Sequence, residues 1–257
     1  MKNKISVIMP CFNSEKTIFR AISSVLSQSH SNLELIICDD SSIDSTKDII
    51  NSFADERIKL INNKYNKGAA GARNSSLDYA SGEYIAFLDS DDYWCNTKLS
   101  NQLNFMEKHN SLFTYGNYFI VNDSLIIGKF EAKNKIYYHD LIKKCDIGCL
   151  TVMIKHELLD NNRFPENYKE DYRLWLNLLS KDKNLCAINY NGTDSFYNFD
   201  SSSLSGNKVK ELLRQWLVIH EQPIQLSKKI FCMTSYIFNG IYKHTIQYRS
   251  GIKHHDK

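Results

Sequence analysis

The chain has 257 residues, of which 42% are hydrophobic and 24% are charged; this composition excludes a disordered protein and allows one sizeable core. The formal net charge is only +3, and the seven cysteines are scattered without a Cys-x-x-Cys pair, which excludes a disulfide framework or zinc ribbon and favours a reducing, cytoplasmic compartment. No apolar run approaches the roughly 18 residues of a membrane helix, so we expect a soluble or peripheral protein.

The first third of the chain alternates strand-like and helix-like segments. Helical spacing of apolar residues predicts a helix after Asn13 or Ser14, a second after Ser42, and a third after Gly68 that Gly82 would end. Such alternation predicts an α/β fold with a mostly parallel sheet, whose ligands bind beyond the carboxyl ends of the strands. The predicted strands are residues 5–9, 33–38, 58–61 and 84–88.

Three carboxylates, Asp89, Asp91 and Asp92, directly follow the fourth predicted strand. On an extended backbone Asp89 and Asp91 would point to the same side. Because close like charges repel and unpaired buried carboxylates are costly, a bound Mg²⁺ or Mn²⁺ would stabilise them, with substrate phosphates as further ligands. A solvated acidic turn is the alternative for this motif alone. A second acidic pair, Asp39 and Asp40, ends a neighbouring strand, which favours one shared crevice.

The middle of the chain has a different pattern, with one helix and several shorter strands. Leu99, Leu103 and Met106 predict the helix, and the strands are expected at residues 112–115, 118–121, 125–130 and 150–154. A further helix begins at Glu170 and Asp171. Helix N-termini favour acidic residues, so capping explains this pair as well as a general base at the crevice does.

The last segment, residues 206–257, predicts basic amphipathic helices. From residue 201 onward there are nine Lys or Arg against three Asp or Glu, with aromatic and aliphatic residues between them. Such a tail suits an anionic membrane surface, although an ordinary helical cap with a solvated face fits equally well. Nucleic-acid binding is a weaker option, and we do not expect it.

Six segments, taken together and in order, resemble the family 2 glycosyltransferases, inverting enzymes with the GT-A fold that use nucleoside diphosphate sugars. The resemblance covers residues 1–205, with a nucleotide-binding half at 1–95 and an acceptor-binding half at 96–205. One departure is Ser41, which stands where the family's Asp-Asp-Gly-Ser motif has Gly. The matching segments are residues 5–13, 25–29, 38–44, 68–74, 88–92 and 170–175.

The resemblance implies where the nucleotide binds. Asp40 would accept a hydrogen bond from the uracil edge, and the turn of Pro10, Cys11, Phe12 and Asn13 would lie beside the base. Asp89 and Ser90 would face the ribose or a metal-bound water. Arg73 would help hold the nucleotide or its phosphates.

The resemblance also implies the chemistry. Asp91, with Asp89, would hold a Mn²⁺ or Mg²⁺ ion that bridges the two phosphates. Asp171 would take the proton of the acceptor hydroxyl, Glu170 would assist in positioning, and the anomeric configuration would invert. The expected acceptor is a glycan, linked to a lipid diphosphate for bacterial surface polysaccharide, at the inner face of the cytoplasmic membrane.

One departure from the family concerns the segment before the tail. Asn198 stands where a cation is expected, and Lys208 or Lys210 could replace it. We predict that the Ser-rich residues 201–205 form a lid that orders over the donor.

Two other functions are alternatives to a glycosyltransferase. One is a sugar-nucleotidyltransferase, which would need a glycine-rich basic loop after the first strand, and the other is a non-catalytic nucleotide-sugar-binding module.

Overall fold

The computed structural model describes residues 3–123, 125–199 and 208–242. Twelve strands are found in this part of the chain. They are β1 Ile5–Cys11, β2 Leu33–Asp39, β3 Ile58–Asn62, β4 Tyr84–Phe87, β5 Tyr93–Trp94, β6 Phe113–Tyr115, β7 Tyr118–Asn122, β8 Leu125–Phe130, β9 Lys135–Tyr137, β10 Met153–Lys155, β11 Cys186–Asn189 and β12 Ser195–Asn198.

Nine α-helices and one 3-10 turn connect the strands in the same part of the chain. The helices are α1 Ile18–Leu26, α2 Thr46–Asn51, α3 Ala69–Leu77, α4 Lys98–His109, α5 Tyr138–Leu141, α6 His156–Leu159, α7 Glu170–Ser180, α8 Lys208–Glu221 and α9 Leu226–Tyr242, and the 3-10 turn is Cys149–Thr151.

The main sheet has eight strands in the order β3-β2-β1-β4-β10-β6-β11-β9. Strands β1 to β4 are parallel, as the alternation predicts, while β10 runs antiparallel to both β4 and β6. The carboxyl ends of β1, β2 and β4 therefore meet at one edge. The predicted α/β architecture, with a mixed sheet and C-terminal helices, is confirmed.

Both faces of the main sheet are covered by helices. In β1, Val7 and Met9 point into one core with α1 and α4, while Ile8 points into the other core with α3 and α7. This alternation follows from the two-residue period of a strand, and it explains why a doubly covered strand reads as a continuous apolar run. Trp175 of α7 is fully buried and anchors that helix against the sheet.

A second sheet, β5-β12-β7-β8, lies beside the main one. Strand β12 is antiparallel to β5 and parallel to β7, and β7 and β8 form an antiparallel hairpin with β8 at the open edge. Both strands of the hairpin were predicted from the sequence, whereas β5 and β12 were not. Strand β5 immediately follows the acidic cluster, so this sheet borders the candidate site.

Two predicted helix boundaries are wrong. The first helix begins at Ile18, because the Asn13 side chain accepts a hydrogen bond from the Ile43 backbone N–H and thereby joins two loops instead of capping the helix. The third helix ends at Leu77, before Gly82. Gly82 is instead required for close packing, since a Cβ there would lie 2.6 Å from the backbone nitrogen of Ser6.

The strand predicted at 150–154 is also only partly correct. The 3-10 turn occupies its first half, closed by a 2.7 Å hydrogen bond from the Thr151 hydroxyl to the Gly148 carbonyl, and the strand covers Met153–Lys155. Apolar residues alone do not distinguish a buried turn from a buried strand.

The C-terminal helices pack on the body of the protein. Val218 and Ile219 of α8 and Cys232 of α9 join the core that contains α7. Gln215 donates a hydrogen bond of 3.1 Å to the Tyr172 hydroxyl. In the described ranges, none of the helices has the length and apolar composition needed to cross a bilayer. The predicted lid, residues 201–205, and the boundary at 205 and 206 lie outside the described residues.

Candidate active site

Two acids end strand β2, and the structure gives them different surroundings. Asp40 accepts one hydrogen bond from the Asn63 amide and one from the Gly68 backbone N–H, each at 2.7 Å. These contacts fix its carboxylate at the start of α3. Asp39 is buried and forms an ion pair of 3.1 Å with Lys47. Asp39 therefore holds its own loop together, while Asp40, which is 8% exposed, is fixed beside the start of α3.

The turn after β1 contains the other predicted nucleotide contacts. Pro10 and Cys11 are the buried last residues of the strand, and the Cys11 thiol lies 3.9 Å from an Asp39 carboxylate oxygen. Burial, followed by the Asp39 charge, raises the pKa of Cys11 above its ordinary range, so the thiol stays protonated. Phe12 is 56% exposed, and a large apolar ring presented to solvent at a strand end is available for stacking.

The acidic cluster forms a turn. The Asp92 backbone N–H donates to the Asp89 carbonyl at 3.1 Å, so the chain leaves the extended conformation after β4. The prediction that Asp89 and Asp91 share a side by strand alternation is therefore wrong. The turn is held by the Arg20 guanidinium, which donates to the Asp91 carbonyl at 3.2 Å, and by a 2.8 Å contact between the hydroxyls of Ser90 and Ser14.

A cavity of about 730 Å³ opens beside this turn. It brings together four predicted residues, Phe12, Asn13, Ser90 and Asp91, and adds Lys16, a cation that the sequence reasoning missed. The other predicted site residues do not line it. The full lining consists of Phe12, Asn13, Ser14, Glu15, Lys16, Thr17, Ile43, Asp44, Ser90, Asp91 and Asn198.

Arg73 joins the acidic turn to the start of α7. Its guanidinium donates to Asp89 at 2.6 Å and to Glu170 at 2.8 Å, and its side chain is only 5% exposed. Burial opposes the charge, but the Asp89 and Glu170 carboxylates outweigh it and raise the pKa of Arg73 well above its ordinary value. Asp89 is 16 positions and Glu170 is 97 positions from Arg73 in the sequence, and the guanidinium brings both carboxylates into one ionic cluster.

Asp171 lies next to this cluster, in the first turn of α7. Burial, and then the neighbouring Glu170 charge, raise the pKa of Asp171 to about 6. A carboxylate with a pKa close to the working pH is suited to accept a proton in a reaction. The Cys149 thiol is a further neighbour that the sequence reasoning missed; burial raises its pKa while the nearby Arg73 opposes this.

Asp92 connects the acidic turn to the second sheet. Its buried carboxyl accepts a hydrogen bond of 2.9 Å from the Asn198 backbone N–H. Burial, together with the charges of Asp91 and Asp89, raises the pKa of Asp92 well above its ordinary value. Asn198 thus meets the site through its backbone, in addition to lining the cavity.

Asp91 has the properties expected of a ligand for a divalent cation. Burial, followed by the Asp89 charge, raises its pKa to about 6, and the nearby Arg73 and Arg20 offset this only in part. Asp89 is less suited, because one of its oxygens is bound to Arg73. Across the described ranges, no group of three or more His, Cys, Asp or Glu is placed to hold a metal by itself. One carboxylate with substrate phosphates is nevertheless a common Mg²⁺ arrangement, so the residues fit such an ion.

Comparisons with known proteins identify the family of this chain. The model of Glycosyl transferase family 2 matches residues 6–153. The Escherichia coli protein WfgD, a UDP-Glc:alpha-D-GlcNAc-diphosphoundecaprenol beta-1,3-glucosyltransferase, is 50% identical over 249 residues, which cover 97% of this chain and 98% of WfgD. Escherichia coli WfaP, with the same described activity, is 47% identical over 95% of this chain and 97% of its own.

The fold has a counterpart among solved structures. The crystal structure of S. aureus TarS 1-349 in complex with UDP-GlcNAc has a TM-score of 0.71 and covers 99% of this chain and 76% of that one. The identity is 20%, so this likeness concerns the fold. The family match spans more than half of the chain, and two relatives match nearly all of it. The chain therefore belongs to glycosyltransferase family 2 and is a glycosyltransferase.

Proposed function

We propose that this glycosyltransferase transfers glucose from UDP-glucose to a GlcNAc residue on a diphosphoundecaprenol lipid, forming a β-1,3 linkage. The printed activities of WfgD and WfaP, which match almost the whole chain at 50% and 47% identity, support this choice of donor and acceptor. One observation supports a single site for the reaction: Arg73 binds both Asp89, beyond a sheet strand, and Glu170, at the start of α7.

The donor nucleotide would bind at the carboxyl ends of β1 and β2. Asp40, oriented by Asn63 and Gly68, would accept the imide N–H of uracil, with Phe12 beside the ring. Lys16 lines the same cavity as Asp91 and would supply a positive charge to the diphosphate. It takes the role that the uncharged Asn198 leaves open, and no contribution from Lys208 or Lys210 is then needed.

Asp91 would hold a Mn²⁺ or Mg²⁺ ion together with the donor phosphates. Such an ion acts as a Lewis acid that neutralises the charge developing on the leaving diphosphate, a contribution of several kcal/mol. The chain's own part is to present one carboxylate on a fixed turn, braced by Arg20 and the contact between Ser90 and Ser14. Asp89, bound to Arg73, would face the ribose.

Asp171 would act as the general base. As the acceptor 3-hydroxyl attacks the anomeric carbon, its proton passes to the Asp171 carboxylate, the new glycosidic bond forms, and the bond to UDP breaks. Attack from the side opposite the leaving group inverts the α configuration of UDP-glucose to β. A positioned base of this kind typically accelerates a reaction about a hundredfold to ten thousandfold. Glu170, held by Arg73, would position the acceptor.

The C-terminal helices would contact an anionic membrane surface, where the acceptor lipid resides. Exposed apolar residues of α9 lie on one side of the helix: with 100° per residue, they span an arc of about 140°. Lys228 and Lys229 stand at the start of this helix. Such a face suits the inner side of the cytoplasmic membrane. The exposed apolar residues of α9 are Leu226, Ile230, Phe231, Ile237 and Phe238.

The proposal is tested with purified protein, a synthetic GlcNAc-diphospholipid and a set of UDP-, GDP- and dTDP-sugars. Mass spectrometry is expected to detect one added hexose with UDP-glucose in the presence of Mn²⁺ or Mg²⁺. Addition of a different sugar would change the donor assignment. Absence of transfer with all donors, while UDP-glucose is still bound, would contradict the proposed acceptor.

A further inference from the structure

The hairpin formed by β7 and β8 carries an apolar tip that the proposed reaction does not use. Leu125, Ile126 and Ile127 are 71%, 51% and 49% exposed. Exposed apolar residues scattered singly need no explanation, but three adjacent residues concentrate apolar surface at one end of the hairpin. Leu125 and Ile126 pair in register with β7 and point to opposite faces, so each face of the hairpin carries an apolar residue here, while Ile127 lies in a β-bulge between the pairs Val121–Ile126 and Ile120–Gly128.

The hairpin is hydrogen-bonded to the strand that borders the active site. Asn198 of β12 binds Asp92 through its backbone and pairs with Val121 of β7, and Val121 pairs in turn with Ile126. Neighbouring strands are spaced by about 4.8 Å, so the apolar tip lies about 10 Å, two strand spacings, from β12. The patch is therefore at the rim of the site.

The C-terminal helices reach the site through different contacts. Lys169, directly before the two acids of α7, forms a 2.7 Å ion pair with Glu211 of α8 and lies 3.3 Å from the Tyr236 hydroxyl of α9. Helices and hairpin are thus two apolar surfaces that each adjoin the candidate active site. They are separate in sequence and belong to different parts of the fold.

The charges of the helices favour an anionic partner. Helices α8 and α9 contain two acidic residues, and both form ion pairs with α7 or the residue before it. Glu211 pairs with Lys169, and Glu221 pairs with Arg173 at 2.9 Å. The same segment, residues 208–242, contains five Lys or Arg. The formal net charge of this segment is therefore positive, as expected for contact with anionic lipid head groups.

From these observations we propose that the tip of the β7–β8 hairpin inserts into the membrane interface as a second contact, beside the C-terminal helices, so that the active site faces the lipid surface. The inference rests on the proposed lipid-linked acceptor. A second copy of the chain is a poorer occupant, because strand addition at the open edge would cover the backbone and leave both apolar faces exposed. An acyl layer surrounds the tip and covers both faces.

The test uses the full chain and sedimentation with vesicles that contain phosphatidylglycerol, compared with pure phosphatidylcholine. Two hairpin variants address the two faces separately: Leu125→Asn and Ile126→Asn. Ile230→Asn with Phe238→Asn tests α9. Tyr79→Asn is the control, since Tyr79 is 44% exposed but packs with Lys59 near the β3 edge of the sheet.

Both hairpin variants are expected to weaken vesicle binding, by about tenfold when the two changes are combined, because apolar area is lost from the interface. The α9 variant should weaken it independently, and the control should not. Hydrolysis of UDP-glucose and the mass measured by light scattering should stay unchanged. Unaltered vesicle binding of both hairpin variants would overturn the inference, as would an effect confined to one face or a change from dimer to monomer.

Failure of the proposed function gives a different result. In that case the unmodified protein transfers no glucose to the GlcNAc-diphospholipid in detergent, whether or not the protein binds vesicles. If transfer occurs in detergent and only the hairpin variants fail to change vesicle binding, the reaction stands and the hairpin is not a membrane contact.

Discussion

Replacing Asp171 by Asn tests the role of this residue as the general base without disturbing the binding of the donor. The amide has nearly the same shape as the carboxyl, but it cannot accept a proton at any working pH. We expect transfer to fall by about a hundredfold to ten thousandfold while UDP-glucose binding is nearly unchanged. In the unmodified enzyme, activity should decline as the pH falls through about 6, where the Asp171 carboxylate becomes protonated.

The same substitution has a predictable effect on stability. Folding raises the pKa of Asp171 from 3.8 to about 6, so between these values the folded protein holds a proton that the unfolded chain has released. Stability from this group therefore increases as the pH falls through 6, and above that pH the ionised carboxylate destabilises the fold. One pKa unit corresponds to about 1.4 kcal/mol, and Asp171 is partly accessible to solvent. The Asp171→Asn substitution should therefore raise the free energy of unfolding at pH 8 by about 1–2 kcal/mol.

The assays are steady-state transfer from pH 5 to 9 and urea unfolding at pH 5 and pH 8. Asp48→Asn serves as the control, because Asp48 is an exposed carboxylate on α2 and should affect neither measurement. Transfer by Asp171→Asn within about tenfold of the unmodified rate would refute the assignment of the base. A loss of stability at pH 8 would refute the account of its electrostatic environment.

Three further predictions concern the residues around this base. Arg73→Lys keeps the charge but loses the forked guanidinium that binds both Asp89 and Glu170. Transfer should therefore fall by about tenfold or more, with a smaller effect on UDP binding measured by calorimetry. Equal losses of transfer and binding would contradict this. Asp92→Asn keeps an oxygen that can accept the Asn198 N–H and should be nearly neutral in urea unfolding, whereas Asp92→Ala leaves this N–H without its partner and should cost about 1–3 kcal/mol; equal effects would contradict this. Asp91→Ala, like EDTA treatment of the unmodified enzyme, should weaken both UDP-glucose binding and transfer, and full activity in EDTA would contradict a divalent ion at Asp91.

Much of the fold could be predicted because local pattern and tertiary structure agree there. The apolar runs at 5–9 and 33–38 are strands buried on both faces, and Gly68 directly precedes α3 as expected. Parallel strands bring their carboxyl ends to one edge, so the proximity of the β1, β2 and β4 ends also follows from the sequence. The start of α7 at Glu170 was likewise predicted correctly.

The contacts that define the site could not be predicted, because they depend on groups distant in the sequence. Nothing local to Arg73 indicates that it binds Glu170, and we expected it to hold the nucleotide instead. The turn at Asp89 is held by hydrogen bonds from Arg20 and Ser14, and the alternation of side chains along a strand does not predict such contacts. The exposure of Ile126 depends on which elements pack against the faces of the second sheet, a property of the whole fold.

The central claim is that Asp91 and Asp171 act on one sugar, the first beside the leaving diphosphate and the second beside the incoming hydroxyl. The most direct measurement is the anomeric configuration of the product made from UDP-glucose and a GlcNAc-diphospholipid, read from the H1–H2 coupling in proton NMR. A β linkage is the predicted result. An α linkage would contradict the account, because a single displacement with one base cannot retain the configuration of the donor.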